Sequence, residues 1–211
     1  MEEKSNLQND KAQLTQKKIL EAATQIFSEK GFCGARVDEI AARAKVNKAM
    51  IYYYFESKEK LLKELINGYR TETSEVVGNL AKNIDWNDED QADKFYEELF
   101  DYMEVKKDIL RIIIIEALKT SSSDVTIFDT LLPSLEFKLN KLQEKCISID
   151  DSVGLMLYSF FFSMVPGSVF LALGDRWSDF YGFNKETTKK RFREVFREFR
   201  KVYYKSAIKE K

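Results

Sequence analysis

Apolar residues recur along this chain at spacings of three and four, the period of a helix with one buried face. From Leu14 to Gly31 the stripe is Ile19, Leu20, Ala23, Ile26 and Phe27, and Gly31 supplies a C-terminal stop. Val37, Ile40, Ala41 and Ala44 make a second stripe, about two turns long and built of small residues. Ala41 lets a crossing helix approach closely, where a leucine would hold the two apart. In the turn Lys45-Val46-Asn47, Val46 is the plug between helices and Asn47 the N-cap of the next one. That helix, Lys48 to Phe55, turns Ile51, Tyr54 and Phe55 inward. Asn47, Lys48, Ala49, Tyr52 and Tyr53 are left outward near its N-terminus. Ser57 caps a further helix that runs through Leu65 and Tyr69 towards Leu80, with no flexible linker.

Asp85 to Asp90 is a polar break, after which Phe95, Leu99, Tyr102 and Met103 mark another amphipathic helix. Asp108 caps the run Ile109 to Leu118, which is apolar on nearly every side and is expected to be central. Thr120 to Asp124 is a serine-rich exposed loop. Phe128, Leu132, Leu135, Leu139 and Leu142 define a helix that Pro133 either kinks or begins. Val153 to Gly174 carries no charged residue and meets the length of a membrane span. Ser159, Ser163, Pro166, Gly167 and Ser168 make its middle polar and bent, and its flanks lack basic asymmetry. A core helix buried on all sides fits better, because the preceding apolar faces need a partner. The last helix, Lys185 to Lys209, sets Phe192, Val195, Phe196, Phe199, Val202 and Tyr203 on one stripe, with a basic opposite face. The pattern predicts an all-α fold of about nine helices. A disordered or flexible arm is expected over 1–13, a three-helix domain with a helix-turn-helix over 14–62, and a larger helical domain over 63–211.

Composition narrows the chemistry. The chain has 211 residues with only 2 prolines and 8 glycines, which suits long helices. Its lack of histidine removes the commonest general base and metal ligand together. No catalytic residue, cofactor or metal is expected, and the protein is not expected to be an enzyme. Cys33 and Cys146 lack metal-ligand spacing and read as packing residues rather than redox switches. The charged N-terminus has no apolar core of signal-peptide type, so the cytoplasm is the expected location. Net charge is −1, yet residues 11 to 60 hold ten basic against six acidic side chains. A dimer doubles that local excess and gives a salt-dependent attraction to phosphates. Residues 85 to 108 are rich in Asp and Glu and form a face that should avoid DNA.

The residues Ile19-Leu-Glu-Ala-Ala23, Phe27, Gly31-Phe32, Val37, Ile40-Ala41, Ala44, Val46, Tyr52-Tyr53, Phe55, Lys58 and Leu61 together resemble the N-terminal DNA-binding domain of the tetracycline-repressor (TetR) family of bacterial transcriptional regulators. The resemblance covers residue 14 to about 62 and implies an all-helical ligand-binding and dimerisation domain behind it. It further implies that Tyr52 and Lys58 hold phosphates, while Lys48, Ala49 and Tyr53 lie against base edges or flanking backbone. Lys58 has its own reason: a lysine in the first turn is mildly unfavourable for the helix dipole and is better explained by a bound phosphate. Two positions depart from the family pattern. Arg36 stands where a capping threonine is usual, so a phosphate contact replaces the cap. Lys45 stands where glycine is usual, so either the turn differs or a phosphate contact offsets strain of roughly 1 kcal/mol.

By the same resemblance, the last two long helices form the dimer interface, with Phe192, Val195, Phe196, Phe199, Val202 and Tyr203 in the seam. Tyr102, Met103, Tyr158, Phe161, Phe162, Met164 and Trp177 suit an apolar pocket, although each also fits plain core packing. Glu116 is either solvated or a pocket charge that favours cationic ligands. The expected function is a homodimeric, ligand-responsive, sequence-specific DNA-binding regulator, a repressor released from a palindromic operator by an unidentified small-molecule inducer. The rival class is a helical membrane-associated or protein-interaction module with a vestigial helix-turn-helix. Salt-dependent binding to duplex DNA separates the two.

Overall fold

The computed structural model describes residues 2–85, 88–119 and 152–207, and among these there are helices and no strands. In chain order they are α1 (Glu2–Gly34), α2 (Val37–Ala44), α3 (Lys48–Phe55), α4 (Lys58–Ala81), α5 (Glu89–Val105), α6 (Lys107–Lys119), α7 (Ser152–Leu157), a π-helical segment (Tyr158–Met164), α8 (Val165–Tyr181) and α9 (Lys185–Ala207). The expected helix around Pro133, the serine-rich loop and Cys146 lie outside the described residues.

α1 is helical from Glu2, through the stretch over which a disordered or flexible arm was expected. Neither glycine nor proline interrupts the chain before Gly31, so the helix propagates through its polar first turns. Gly31 does break it, at φ 70° and ψ 164°, a conformation that glycine alone reaches without strain. The helices divide into two compact units. The first comprises the chain up to Thr71 with the part of α6 from Ile112, and the second begins at Glu72. The division therefore falls inside α4, later than the expected break after residue 62, because α4 is one uninterrupted helix.

In the first unit Ile19, Ala23, Ile26 and Phe27 of α1 are buried, as are Ile40, Ala41 and Ala44 of α2 and Ile51 and Phe55 of α3. Each fully buried Ile or Phe contributes about 1.5–3 kcal/mol. Ala41 fills the place foreseen for a small residue at the crossing. Leu61, Leu62, Leu65, Ile66 and Tyr69 of α4 are buried too, with Ile112 and Ile113 of α6. Asp108 lies within the first turn of α6 rather than ahead of it.

The second unit has its buried side chains at Val77 and Ala81 of α4, Phe95, Leu99, Phe100 and Met103 of α5, Ile109 and Leu110 of α6, Tyr158 and Leu171. Asp88 caps α5 by accepting from the backbone N–H groups of Asp90 and Gln91 at 3.0 and 3.2 Å. The long uncharged stretch is not buried all round as expected. Val153, Met156, Leu157, Phe161, Phe162 and Leu173 are exposed. Among the described residues no helix is long and apolar enough to cross a membrane. Its irregularity has a local cause. Pro166 has no N–H to give the helix ladder, and just before it the Val165 N–H reaches back five residues to the Phe160 carbonyl, which widens the turn.

Candidate nucleic-acid interface

The helix-turn-helix is built as its sequence requires. Asn47 caps α3, its Oδ1 accepting the Ala49 N–H at 2.9 Å. Lys45 adopts the left-handed conformation at φ 55° and ψ 43°, so the turn keeps the glycine geometry without the glycine. The Lys45 and Val46 N–H groups close α2 on the carbonyls of Ala42 and Ala41 at 3.2 and 3.0 Å. Arg36 starts α2 with no side-chain cap, and its own N–H donates to the Glu39 carboxylate at 3.4 Å. Its guanidinium is exposed.

These constraints leave one polar and aromatic surface. Lys45, Asn47, Lys48, Ala49, Tyr52 and Tyr53 are exposed; Tyr53 is 77% accessible, a large value for an aromatic ring. The Lys48 ammonium is 2.8 Å from Asp38 on α2, and this bond raises the lysine's pKa. Arg43 and Lys30 are committed to Glu29 and Glu39 between α1 and α2, which holds both carboxylates below their ordinary range. Lys60 is paired with Glu56. Arg36 and Lys45 carry charge on this surface, and Lys48 can exchange its carboxylate for a base edge or phosphate.

Lys58 sits differently from expectation. Its ammonium donates to the carbonyls of Phe32 and Ala35 at 2.9 and 3.1 Å and lies 4.4 Å from the centre of the Phe32 ring. It thereby ties the start of α4 to the α1–α2 turn. Two of its three donors are spent inside the domain, leaving one for a phosphate.

A second feature was not legible. Glu56 follows α3 at φ 61° and ψ −42°, with the Ser57 N–H donating to the Phe55 carbonyl at 2.6 Å. This is a strained three-residue turn, and it fixes the angle at which the chain leaves the exposed helix. Glutamate carries no turn signal, so only geometry shows it.

Among the described residues, the pocket residues expected from sequence stand in several different settings. Met103 and Met164 line a small void in the second unit. Tyr158 is buried, with its hydroxyl donating to the Arg200 carbonyl at 3.5 Å. Tyr102 shares a 3.1 Å hydrogen bond with Thr73, and burial raises its pKa against the opposing effect of that bond. Phe161 and Phe162, within the π-helical segment, are exposed, and Trp177 lines an open groove between α8 and α9. Glu116 belongs to the first unit, with an ion pair to Lys119 at 3.0 Å.

The proposed seam on α9 also divides. Val195, Phe199 and Val202 are exposed, whereas Phe192 stacks on Phe170 at 3.8 Å and Phe196 lines the void. The side chain of Tyr203 lies outside the described part. A helix stripe this wide serves two neighbours, so its inner edge packs within the chain. Gly174 makes room for that stack, since a Cβ there would meet the Phe170 ring at 3.0 Å.

The acidic stretch of α5 has a partner that sequence reading missed. Glu104 takes Lys189 at 2.7 Å, Glu97 takes Arg193 at 3.0 Å, and Asp93 takes Lys201 at 3.2 Å. Arg193 also meets Asp101 and Glu104. The signal was present as complementary spacing, Asp93, Glu97, Asp101 on one helix and Lys189, Arg193, Lys201 on the other.

Comparison with known proteins agrees with this geometry. Residues 19–65 match the sequence profile of the family described as bacterial regulatory proteins, tetR family. The chain is 37% identical over 89 residues to the HTH-type transcriptional repressor NicS of Pseudomonas putida, covering 42% of this chain and 41% of NicS. It is 41% identical over 70 residues to the probable HTH-type transcriptional regulator YttP of Bacillus subtilis, covering 33% of this chain and 34% of YttP. These matches span well under two thirds of either relative. The fold extends further: the fatty acid degradation regulator FadR from Bacillus halodurans superposes with a TM-score of 0.60 at 18% identity, covering 86% of this chain and 93% of FadR. A TetR-like transcriptional regulator from Rhodococcus sp. RHA1 gives 0.55 at 18% identity, over 86% and 93% of the two chains. Over residues 19–65, the helix-turn-helix and the helices that flank it, the chain thus matches the tetR family of bacterial regulatory proteins.

Proposed function

We propose that this protein is a homodimeric, ligand-responsive regulator that represses transcription by binding a palindromic operator and is released by a small-molecule inducer. The observation that carries the reading is the exposed surface of α3 and its flanking turns. Its aromatic and cationic side chains stand on a rigid, capped scaffold that a major groove can receive. Arg36, Lys45, Tyr52 and the remaining donor of Lys58 serve the phosphates in this reading, and Lys48, Ala49 and Tyr53 read bases or adjoining backbone. The NicS name, a repressor, supports the sign of regulation. Its site of action is the cytoplasm, where the DNA is.

Dimerisation is assigned to the outer face of α8 and α9. An open groove of about 770 Å³ runs there, lined by Pro166, Val169, Leu173, Trp177, Phe183 and Val195 among others, and continues into exposed Phe199 and Val202. An apolar face of this extent is a natural isologous contact for a second copy. The continuity of α4 across both units supports coupling: a ligand that favours one tilt of α4 changes the separation of the two recognition helices, which must match roughly 34–36 Å. Linkage then requires operator and inducer to weaken each other by the same factor.

The test is binding to a pool of duplexes across salt concentrations. A regulator selects a palindromic sequence and loses affinity linearly in log–log coordinates as salt rises. Absence of duplex binding at low salt would sink the reading and favour an interaction module whose helix-turn-helix is vestigial.

A further inference from the structure

We propose that the small void bounded by α5, the π-helical segment, α8 and α9 is a binding site for a short-chain carboxylate. As the effector site of a ligand-responsive regulator it rests on the reading above; as a carboxylate site it does not. The void measures about 30 Å³, and Arg193, Arg200, Ser163 and Gly167 stand in its wall. A water needs about 10–15 Å³, so there is room for about two water-sized groups, the span of the two oxygens of a carboxylate.

The donors are already in place. Arg200 is only 4% exposed, and neither its Nε–H nor that of Arg193 has a hydrogen-bond partner although both atoms are buried. A guanidinium can donate but never accept, so the missing partner must bring acceptors. The two arginines differ in charge balance. Arg193 is fenced by Glu97, Asp101 and Glu104 and offers chiefly its free donor. Arg200 has one loose contact, Asp93 at 3.7 Å, and otherwise faces the rings of Tyr96 and Phe196 at 3.9 and 5.2 Å. Burial pushes its pKa down, the mark of a cation short of counter-charge. Glu97 also reaches the void, but its carboxylate is held by Arg193.

The rest of the wall suits the other end of the ligand. Leu99, Phe100, Met103 and Met164 are apolar, and the two methionines can repack around a methyl or ethyl group. Ser163 and Met164 of the π-helical segment line the cavity beside Gly167, whose lack of a side chain leaves space there. A Cβ on Gly167 would meet Phe196 Cε1 at 3.9 Å, an ordinary contact, so an alanine fits where none is used.

The full-length protein, dialysed into chloride buffer, is titrated with sodium acetate against sodium chloride at equal ionic strength, by calorimetry and thermal melting. Acetate should bind saturably and raise Tm by about 3 °C or more at tenfold excess over Kd. Gly167→Ala fills the void with the arginines untouched; it should melt no lower than the parent in chloride and lose the acetate shift. Arg200→Lys keeps the charge without the Nε donor and should weaken acetate at least tenfold. If chloride or acetamide matches acetate, or Gly167→Ala keeps the full shift, the assignment is overturned and the void holds water only. Duplex binding is measured on the same samples. DNA binding without acetate binding overturns the site and leaves the regulator; acetate binding without DNA binding supports the site and removes its effector role.

Discussion

The helix-turn-helix and the α8–α9 face both expose side chains that a solitary folded chain does not need, but of opposite kinds. On the first, Tyr52 and Tyr53 stand with Arg36, Lys45 and Lys48 above a core that includes Phe27, Ile40, Ala41, Ile51 and Phe55. On the second, Leu173, Trp177, Phe180, Val195, Phe199 and Val202 are bare, while the basic side chains Lys189, Arg193 and Lys201 turn the other way onto α5. Cations offered outward suit a polyanion, and cations neutralised internally leave an apolar surface for another protein. The difference lies in where each region spends its acidic residues, and on it rests the proposal of DNA for one face and a second copy for the other.

The largest effect should come from breaking the apolar face. Val195→Asp with Phe199→Asp places charges in the proposed seam while sparing Phe192 and Phe196, which the chain's own core requires. Sedimentation should show the dimer dissociation constant rising by about 100-fold or more, equivalent to about 3 kcal/mol over both subunits. An unchanged dimer moves the interface elsewhere.

Lys58 tests whether a cation near the DNA face works outward or inward. If its bonds to the Phe32 and Ala35 carbonyls matter, Lys58→Met lowers stability by about 2 kcal/mol without any DNA present. Melting checks this directly. A purely outward lysine would leave Tm unchanged and weaken all duplexes alike, so a variant that changed the preferred operator with general affinity intact would refute both roles.

Arg36→Ala and Lys45→Ala should each flatten the salt dependence of binding, by about 0.9 in the log–log slope per lost phosphate contact. Tyr53→Ala should instead alter preference among sequences, read by competition between duplexes. If Tyr53→Ala weakened every duplex equally, the surface would not divide into positioning and reading parts.

Much of the first unit was legible because its determinants are local. A cap at Asn47, a small residue at Ala41 and a stop at Gly31 each act within a turn or two of themselves. The inward role of Lys58 was not, since Phe32 and Ala35 are remote in sequence and carbonyl acceptors have no residue signature. Glu56 was invisible for a related reason: a positive φ at a glutamate has no residue signature. In the second unit the periodicity of α9 was read correctly as a stripe, but periodicity cannot say that Phe196 faces inward while Phe199 faces out. That depends on α5 and α8, whose approach no local pattern encodes. The same limit scattered the proposed pocket, because aromatic content marks burial potential and the widened turn before Pro166 redistributes it.

The smallest expected effect is the sharpest test of why the DNA face tolerates strain. Lys45 holds a left-handed conformation that glycine would adopt freely. Lys45→Gly removes strain of about 1 kcal/mol, but the more flexible unfolded chain takes back about half of it, leaving a net gain of a few tenths. Lys45→Ala keeps the strain and loses only the charge. If the lysine is retained for phosphate contact, both variants should lose DNA affinity and salt slope equally, while only the glycine variant melts slightly higher. If the glycine variant instead binds DNA as well as the parent, the strained lysine has no role at the phosphates, and the cation on this turn is left without a purpose in DNA binding.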